Sequence, residues 1–247
     1  MNVQRLLVPV GLCLLLSACV SQSVKSTSVA PIKTPSAVVA EELLLDVAVV
    51  VFNPGLDDYD ADDQVYPEVR KAEARFMPLL LSEAMQDSGA WGAVRVVPND
   101  SQITDLMVRG EILHSITATD SRGYVWLDKK YTGTASRYSY ESTTGNKSDP
   151  FQTLYNTIAN DLMQHQEELK PKERSDVRVI SELAFARSFS PDAFDGYLEK
   201  TRSGRYEVRR LPAENDPMLA RVREIRERDH LYVDTLQSYY TNFDAQM

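Results

Sequence analysis

The chain of 247 residues is 43% hydrophobic and 26% charged, the balance of an ordinary globular protein with enough apolar side chains for one domain and a helical appendage. Its 36 Asp and Glu outnumber its 27 Lys and Arg. That argues against nucleic acid as a partner, or anionic lipid as an attractor, because phosphate needs a clustered positive face. Cysteine occurs only at Cys13 and Cys19, so a domain that follows them can form neither a disulfide nor a cysteine metal site.

The amino-terminal segment runs from Met1 to Arg5 and then through an apolar stretch, Leu6 to Leu16, interrupted by Pro9 and Gly11. As a helix that stretch spans about 16 Å, against about 30 Å for a bilayer's hydrocarbon core, so residues 1–18 are expected to be a signal peptide and not a membrane span. The segment closes on Leu16-Ser17-Ala18-Cys19, which resembles the lipobox of bacterial lipoproteins. The resemblance implies that Leu16, Ser17 and Ala18 are read by the signal peptidase and that Cys19 is the lipidated first residue of the mature chain. With Val20 next, and not Asp, it implies an outer-membrane address facing the periplasm. Each buried methylene of the acyl chains gains roughly 0.8 kcal/mol, so two or three chains anchor a protein without a transmembrane helix.

From Val20 to Val38 the composition is Ser, Thr, Val, Lys and Pro with no aromatic. Residues 19–38 are therefore expected to form a flexible tether with a mean span of roughly 25 Å. The folded part is expected to open with Leu43 to Phe52, a nearly continuous β-branched run closed by Asn53-Pro54-Gly55 that suits a strand buried on both faces. Helical spacing over 68–88 predicts a helix whose apolar side is Ala72, Arg75, Phe76, Leu79, Leu80 and Ala84, bent at Pro78 and stopped by Gly89. Strands are expected at 91–98, at 105–113 and at 124–131, the last entered through Asp120-Ser121-Arg122-Gly123.

Asp149-Pro150 reads as the N-cap and first residue of another helix, with Phe151, Leu154, Tyr155, Ile158, Ala159 and Leu162 as its stripe. Beyond it, helices are expected at 174–189, at a short segment begun by Ser190-Pro191, and at 217–243, with an edge strand at 206–211. These elements predict an α+β fold, an α/β sandwich. A small mixed sheet with helices packed on one face occupies residues 39–170, and a mainly helical extension occupies 171–247.

Four short motifs bear on kinship: Val47 to Asn53, the helix end at Ser88-Gly89-Ala90-Trp91, Asp105 to Gly110, and Gly123-Tyr124-Val125-Trp126. In this order after a tether, they resemble small α/β domains of the curli-secretion lipoproteins, the penicillin-binding-protein activators and the auxiliary lipoproteins of lipid-transport ABC systems. The resemblance covers about residues 43–165 and implies an assembly factor, activator or transport accessory. Only twelve residues separate Gly110 from Gly123, so one strand of that pattern is expected to be short, merged or missing. The extension from 172 onward has no counterpart in it.

No catalytic motif is present, and no cofactor motif. Asp57, Asp58, Asp60, Asp62 and Asp63 crowd one loop, and Asp58, Asp60 and Asp62 alternate as oxygen ligands of a cation would, but a calcium loop would want Gly at Asp63 and Glu at Val69. A solvated acidic loop is the simpler expectation. His114, His165 and His230 stand far apart with no ligand spacing. In the last helix, Met218, Ile225, Tyr232 and Tyr239 recur every seven residues, and Val222, Leu236 and Phe243 form a second row. That stripe suits a helix partner or the protein's own α/β unit. The expectation is a non-enzymatic adaptor, held in the membrane by the acyl chains on Cys19, that binds another envelope protein. A lipid- or glycan-binding accessory and an envelope hydrolase are the alternatives.

Overall fold

The structure is a computed structural model that describes residues 29–56, 66–112, 115–132 and 151–244. The signal segment with Leu16, Ser17, Ala18 and Cys19, the Asp58, Asp60 and Asp62 loop, His114 and the Asp149-Pro150 cap lie outside the described residues.

Five strands form one mixed sheet: β1 (Val47–Val50), β2 (Val94–Val97), β3 (Leu106–Gly110), β4 (Ile116–Asp120) and β5 (Val125–Lys129), in the order β2-β1-β3-β4-β5. β1 is parallel to both β2 and β3, whereas β4 is antiparallel to β3 and to β5. Val47, Ala48 and Val49 are all buried, as the unbroken apolar run of β1 requires of a central strand covered on both sides.

Two helices, α1 (Pro67–Asp87) and α2 (Gln152–Glu168), pack together on one face. Their Leu81, Met85, Tyr155, Ile158 and Leu162 close over Val47, Val49, Leu106, Val108 and Ala118. Each such aliphatic side chain contributes about 1.5–3 kcal/mol on burial. The fold is α+β, as expected.

Four details depart from the expectations. The twelve residues after Gly110 hold a complete strand, β4, paired residue for residue with β3 from Leu106↔Asp120 to Gly110↔Ile116. The buried face of α1 is Ala74, Pro78, Leu81, Ser82, Ala84 and Met85, and the expected core residue Phe76 is exposed. A small hairpin pairs the expected β7 (Tyr206–Val208) with an unforeseen β6 (Leu198–Lys200).

The fourth departure concerns the expected tether at 19–38, of which residues 30–36 are bound to the domain. From Ala30 the chain lies along α2 as an extended strap. Asn156 donates to the Ala30 carbonyl at 2.6 Å and Asn160 to the Pro31 carbonyl at 3.0 Å. The Lys33 N–H donates to Asn160 at 2.9 Å and the Ser36 N–H to Glu167 at 2.6 Å. Ile32 packs on the main core. Side chains of α2, two amides and a carboxylate, thus satisfy strap backbone that forms no strand, which compositional reading cannot foresee.

The extension consists of α3 (Pro171–Phe189), α4 (Pro191–Phe194), the β6–β7 hairpin and α5 (Pro217–Asp244). α3 passes beneath the amino ends of the parallel strands. Arg174 donates to the Gln166 carbonyl at 2.8 Å, Arg178 to the Leu44 carbonyl, and Ser121 to the Val177 carbonyl at 2.6 Å. Ile180, Leu183, Ala186, Phe194, Leu198, Leu219 and Val222 form a second core, while Val177 belongs to the first. Packing therefore crosses the expected boundary between residues 170 and 171.

Candidate functional site

The most elaborate polar arrangement lies where the extension meets the amino ends of β1 and β3. Asp46 and Asp105 directly precede those strands. The Asp46 N–H donates to Asp105 Oδ2 at 2.9 Å, the Asp46 carboxylate accepts from the Ala93 N–H at 2.8 Å, and Thr104 donates to the Asp46 carbonyl at 3.0 Å. Two carboxylates thus tie together the entries of three parallel strands.

Asp105 is only 2% exposed. Burial pushes its carboxyl above the usual range and outweighs the opposing pull of the Asp46 N–H, the Arg226 guanidinium and the Ser181 hydroxyl. Arg226 reaches it from α5: its Nη2 lies 4.0 Å from Asp105 Oδ1 and donates to Ser181 Oγ at 2.7 Å. One turn further, burial and then Arg95 and Arg226 push His230 from an ordinary value of 6.5 down to about 4. Next, Asp234 accepts two hydrogen bonds from Arg95 of β2, at 2.6 and 3.1 Å.

The inward side of α5 is therefore buried Leu219 and Val222 with half-buried Arg226, His230 and Val233, at helical spacing but with two of the five polar. A pocket of about 330 Å³ opens beside it, lined by Asp46, Asp105, Arg178, Glu182, Arg223 and Arg226 among others. Its guanidiniums are already engaged, Arg178 by the Leu44 carbonyl, Arg223 by Glu182 and Arg226 by Ser181. These bonds hold α3 and α5 to the entries of the parallel strands, so the arrangement works as a clamp.

The expected partner stripe lies about 100° around α5 from the clamp at 3.6 residues per turn. Met218, Tyr232 and Leu236 are 41%, 67% and 39% exposed. Ile225 is half-buried, and Val222 is buried in the second core. The side chains of Tyr239 and Phe243 lie outside the description. An open cleft of about 780 Å³ separates the second face of the sheet, at Met107, Arg109 and Thr119, from Ala184, Leu198 and Tyr206 of the extension.

His165 is half-buried on α2, 3.9 Å from Glu168, and neither it nor His230 lines these clefts. Among the described residues, no group of three or more His, Cys, Asp or Glu is placed to hold a metal ion, and no helix is long and apolar enough to cross a membrane. Trp91 and Trp126 are buried with ring centroids 6.4 Å apart, the second donating to Asp120 at 2.9 Å. The clamp itself was missed in sequence, where Asp46 and Asp105 stand fifty-nine residues apart. The one available signal was a carboxylate immediately before each of two buried strands.

Two outcomes follow from the clamp. Arg226→Ala leaves Asp105 buried without its counter-charge and lowers stability by about 3–5 kcal/mol in urea unfolding, and adding Asp105→Asn restores part of it. His230 holds its proton more weakly folded than unfolded, so its contribution is complete above pH 6.5 and is lost as pH falls through about 4. The drop in melting temperature between pH 7 and pH 4.5 is therefore smaller in His230→Gln than in the parent chain; equal drops would show that His230 does not carry it.

No family model, no curated protein and no solved structure matches the chain, so the expected kinship rests on its short motifs.

Proposed function

We propose that this chain is a lipid-anchored, periplasm-facing accessory protein of the outer membrane that binds a helix of another envelope protein. The observation that carries this reading is the apolar flank of α5. Met218, Tyr232 and Leu236 are exposed on a helix whose adjacent side is fixed by Arg226, His230 and Asp234. A helix held rigid on one side and left apolar on the next has paid its ordering cost before meeting a partner. The partner's helix lays its own apolar residues along positions spaced seven and four apart, with Arg221, Arg228 and Asp229 at the margins for complementary charge. The anchor follows from the Leu16 to Cys19 motif.

A second reading, a lipid- or glycan-binding accessory, draws on the cleft between Met107 and Leu198. Its volume of about 780 Å³ falls within the usual range for small-molecule sites.

In-cell photocrosslinking with probes at Met218, Tyr232 and Leu236 is expected to give a discrete adduct with one envelope protein. Tyr232→Asp with Leu236→Asp should abolish that adduct while shifting stability by no more than about 0.5 kcal/mol per site, as substitutions on an open surface do. Adducts absent at every probe in a lipidated, folded chain would overturn the adaptor reading. Mass spectrometry of the full chain from membranes is expected to find it beginning at Cys19 with added acyl mass, which Cys19→Ser abolishes. An unmodified chain would overturn the anchor, and a retained lipid or glycan in native spectra would favour the second reading.

A further inference from the structure

The strap along α2 fixes how the domain stands on its anchor. Its hydrogen bonds pair Ala30 with Thr153 and Asn156, Pro31 and Lys33 with Asn160, and Ser36 with Glu167. Strap and helix therefore run in the same direction, and their lengths agree: fourteen helical residues from 153 to 167 rise about 21 Å, and six extended residues from 30 to 36 span about 20 Å. Val29 consequently stands at the amino end of α2. By the sheet topology this is the pole where β1, β3 and β5 end, where α1 begins, and where Gly55, Tyr66, Ile112 and Thr132 are found. The clamp, α3 and the β6–β7 hairpin occupy the opposite pole, because Asp105, Ser121 and Arg122 mark the other ends of the same strands.

We infer that the pole at the carboxyl ends of β1, β3 and β5 faces the lipid bilayer and that α5 is presented on the far side, toward the periplasm. The inference rests on the proposed lipidation of Cys19. Nine residues separate Cys19 from Val29, and ten Cα steps reach at most about 35 Å. The inverted orientation would place at least α2, about 25 Å long, and one further helix diameter, about 10 Å, between Val29 and the membrane. It would consume the whole reach of the linker at maximal stretch. A tether free as far as Val38 would have imposed no such choice, since nineteen steps reach about 65 Å. The α5 partner is accordingly met in the periplasm and not within the bilayer.

The test uses the full lipidated chain in phosphatidylethanolamine–phosphatidylglycerol vesicles carrying an acceptor-labelled lipid. Cys19 is blocked by its thioether and the mature chain has no other cysteine, so donor dyes can be placed singly by Thr132→Cys or Tyr66→Cys at the near pole and Arg202→Cys at the hairpin tip. Transfer from the near pole is expected to exceed that from Arg202→Cys at least about twofold, given a separation of more than about 25 Å. Releasing the strap with Asn156→Ala and Asn160→Ala should bring the ratio toward one, with melting confirming that the domain stays folded. Equal transfer, or stronger transfer from the hairpin tip, in a chain of confirmed acyl mass overturns the orientation alone. A chain without acyl mass that stays off vesicles overturns the anchor, and the orientation with it.

Discussion

The buried carboxylate of Asp105 is the constraint around which the rest is arranged. It accepts the N–H of Asp46, whose own carboxylate accepts the N–H of Ala93, so the entries to β1, β2 and β3 are held at fixed height by side chains. A carboxylate at 2% exposure is costly unless compensated, and its upward shift, which persists beside Arg226 and Ser181, shows that burial outweighs its partners. Part of the compensation comes from the extension, through Arg226 of α5 and the Ser181 hydroxyl of α3. The extension is therefore not an appendage hung on a finished domain. It supplies the charge that makes the sheet's amino pole tolerable, and Val177 completes the main core in the same region.

The clamp also explains why α5 turns as it does. Its apolar residues recur every seven positions, and that period alone would turn Met218, Ile225 and Tyr232 inward. The structure turns Arg226 and His230 inward instead, with Leu219 and Val222 anchoring the first turns. Paired charges at the sheet outweigh the hydrophobic row because leaving Asp105 uncompensated costs more than exposing a methionine and a tyrosine. What the period encodes is thus left on the solvent side, and this displacement supports a partner for it.

Fold class, the doubly buried β1, the α1 stop at Gly89 and the apolar stripe of α2 were legible because each has a local cause: an unbroken β-branched run, a glycine at φ 67°, a regular apolar spacing. β4 was illegible because Ile116-Thr117-Ala118-Thr119-Asp120 carries little apolar character and is a strand chiefly by pairing with β3. The rotation of α1 was hidden by its continuous apolar segment from Phe76 to Leu81, which offers the core several faces at once. The strap and the clamp depend on partners more than fifty residues away, Asn156 for Ala30 and Arg226 for Asp105, and no local pattern announces either.

The strap begins at the pole opposite the clamp, and that separation gives the proposed function its geometry. The strap joins residues 30–36 to the helix layer by hydrogen bonds to their backbone, which resist sliding because Asn156 and Asn160 each fix one register. The clamp joins α5 to the sheet by charge, which resists rotation because Arg95 grips Asp234 with two nitrogens. A helix secured against rotation presents one flank in a constant direction relative to the sheet. An accessory protein that must meet a partner across the periplasmic surface gains from that constancy, since the orientational part of the association cost is reduced before contact. Polar side chains that look like an unremarkable scatter along the chain thus set the direction in which Met218, Tyr232 and Leu236 are displayed.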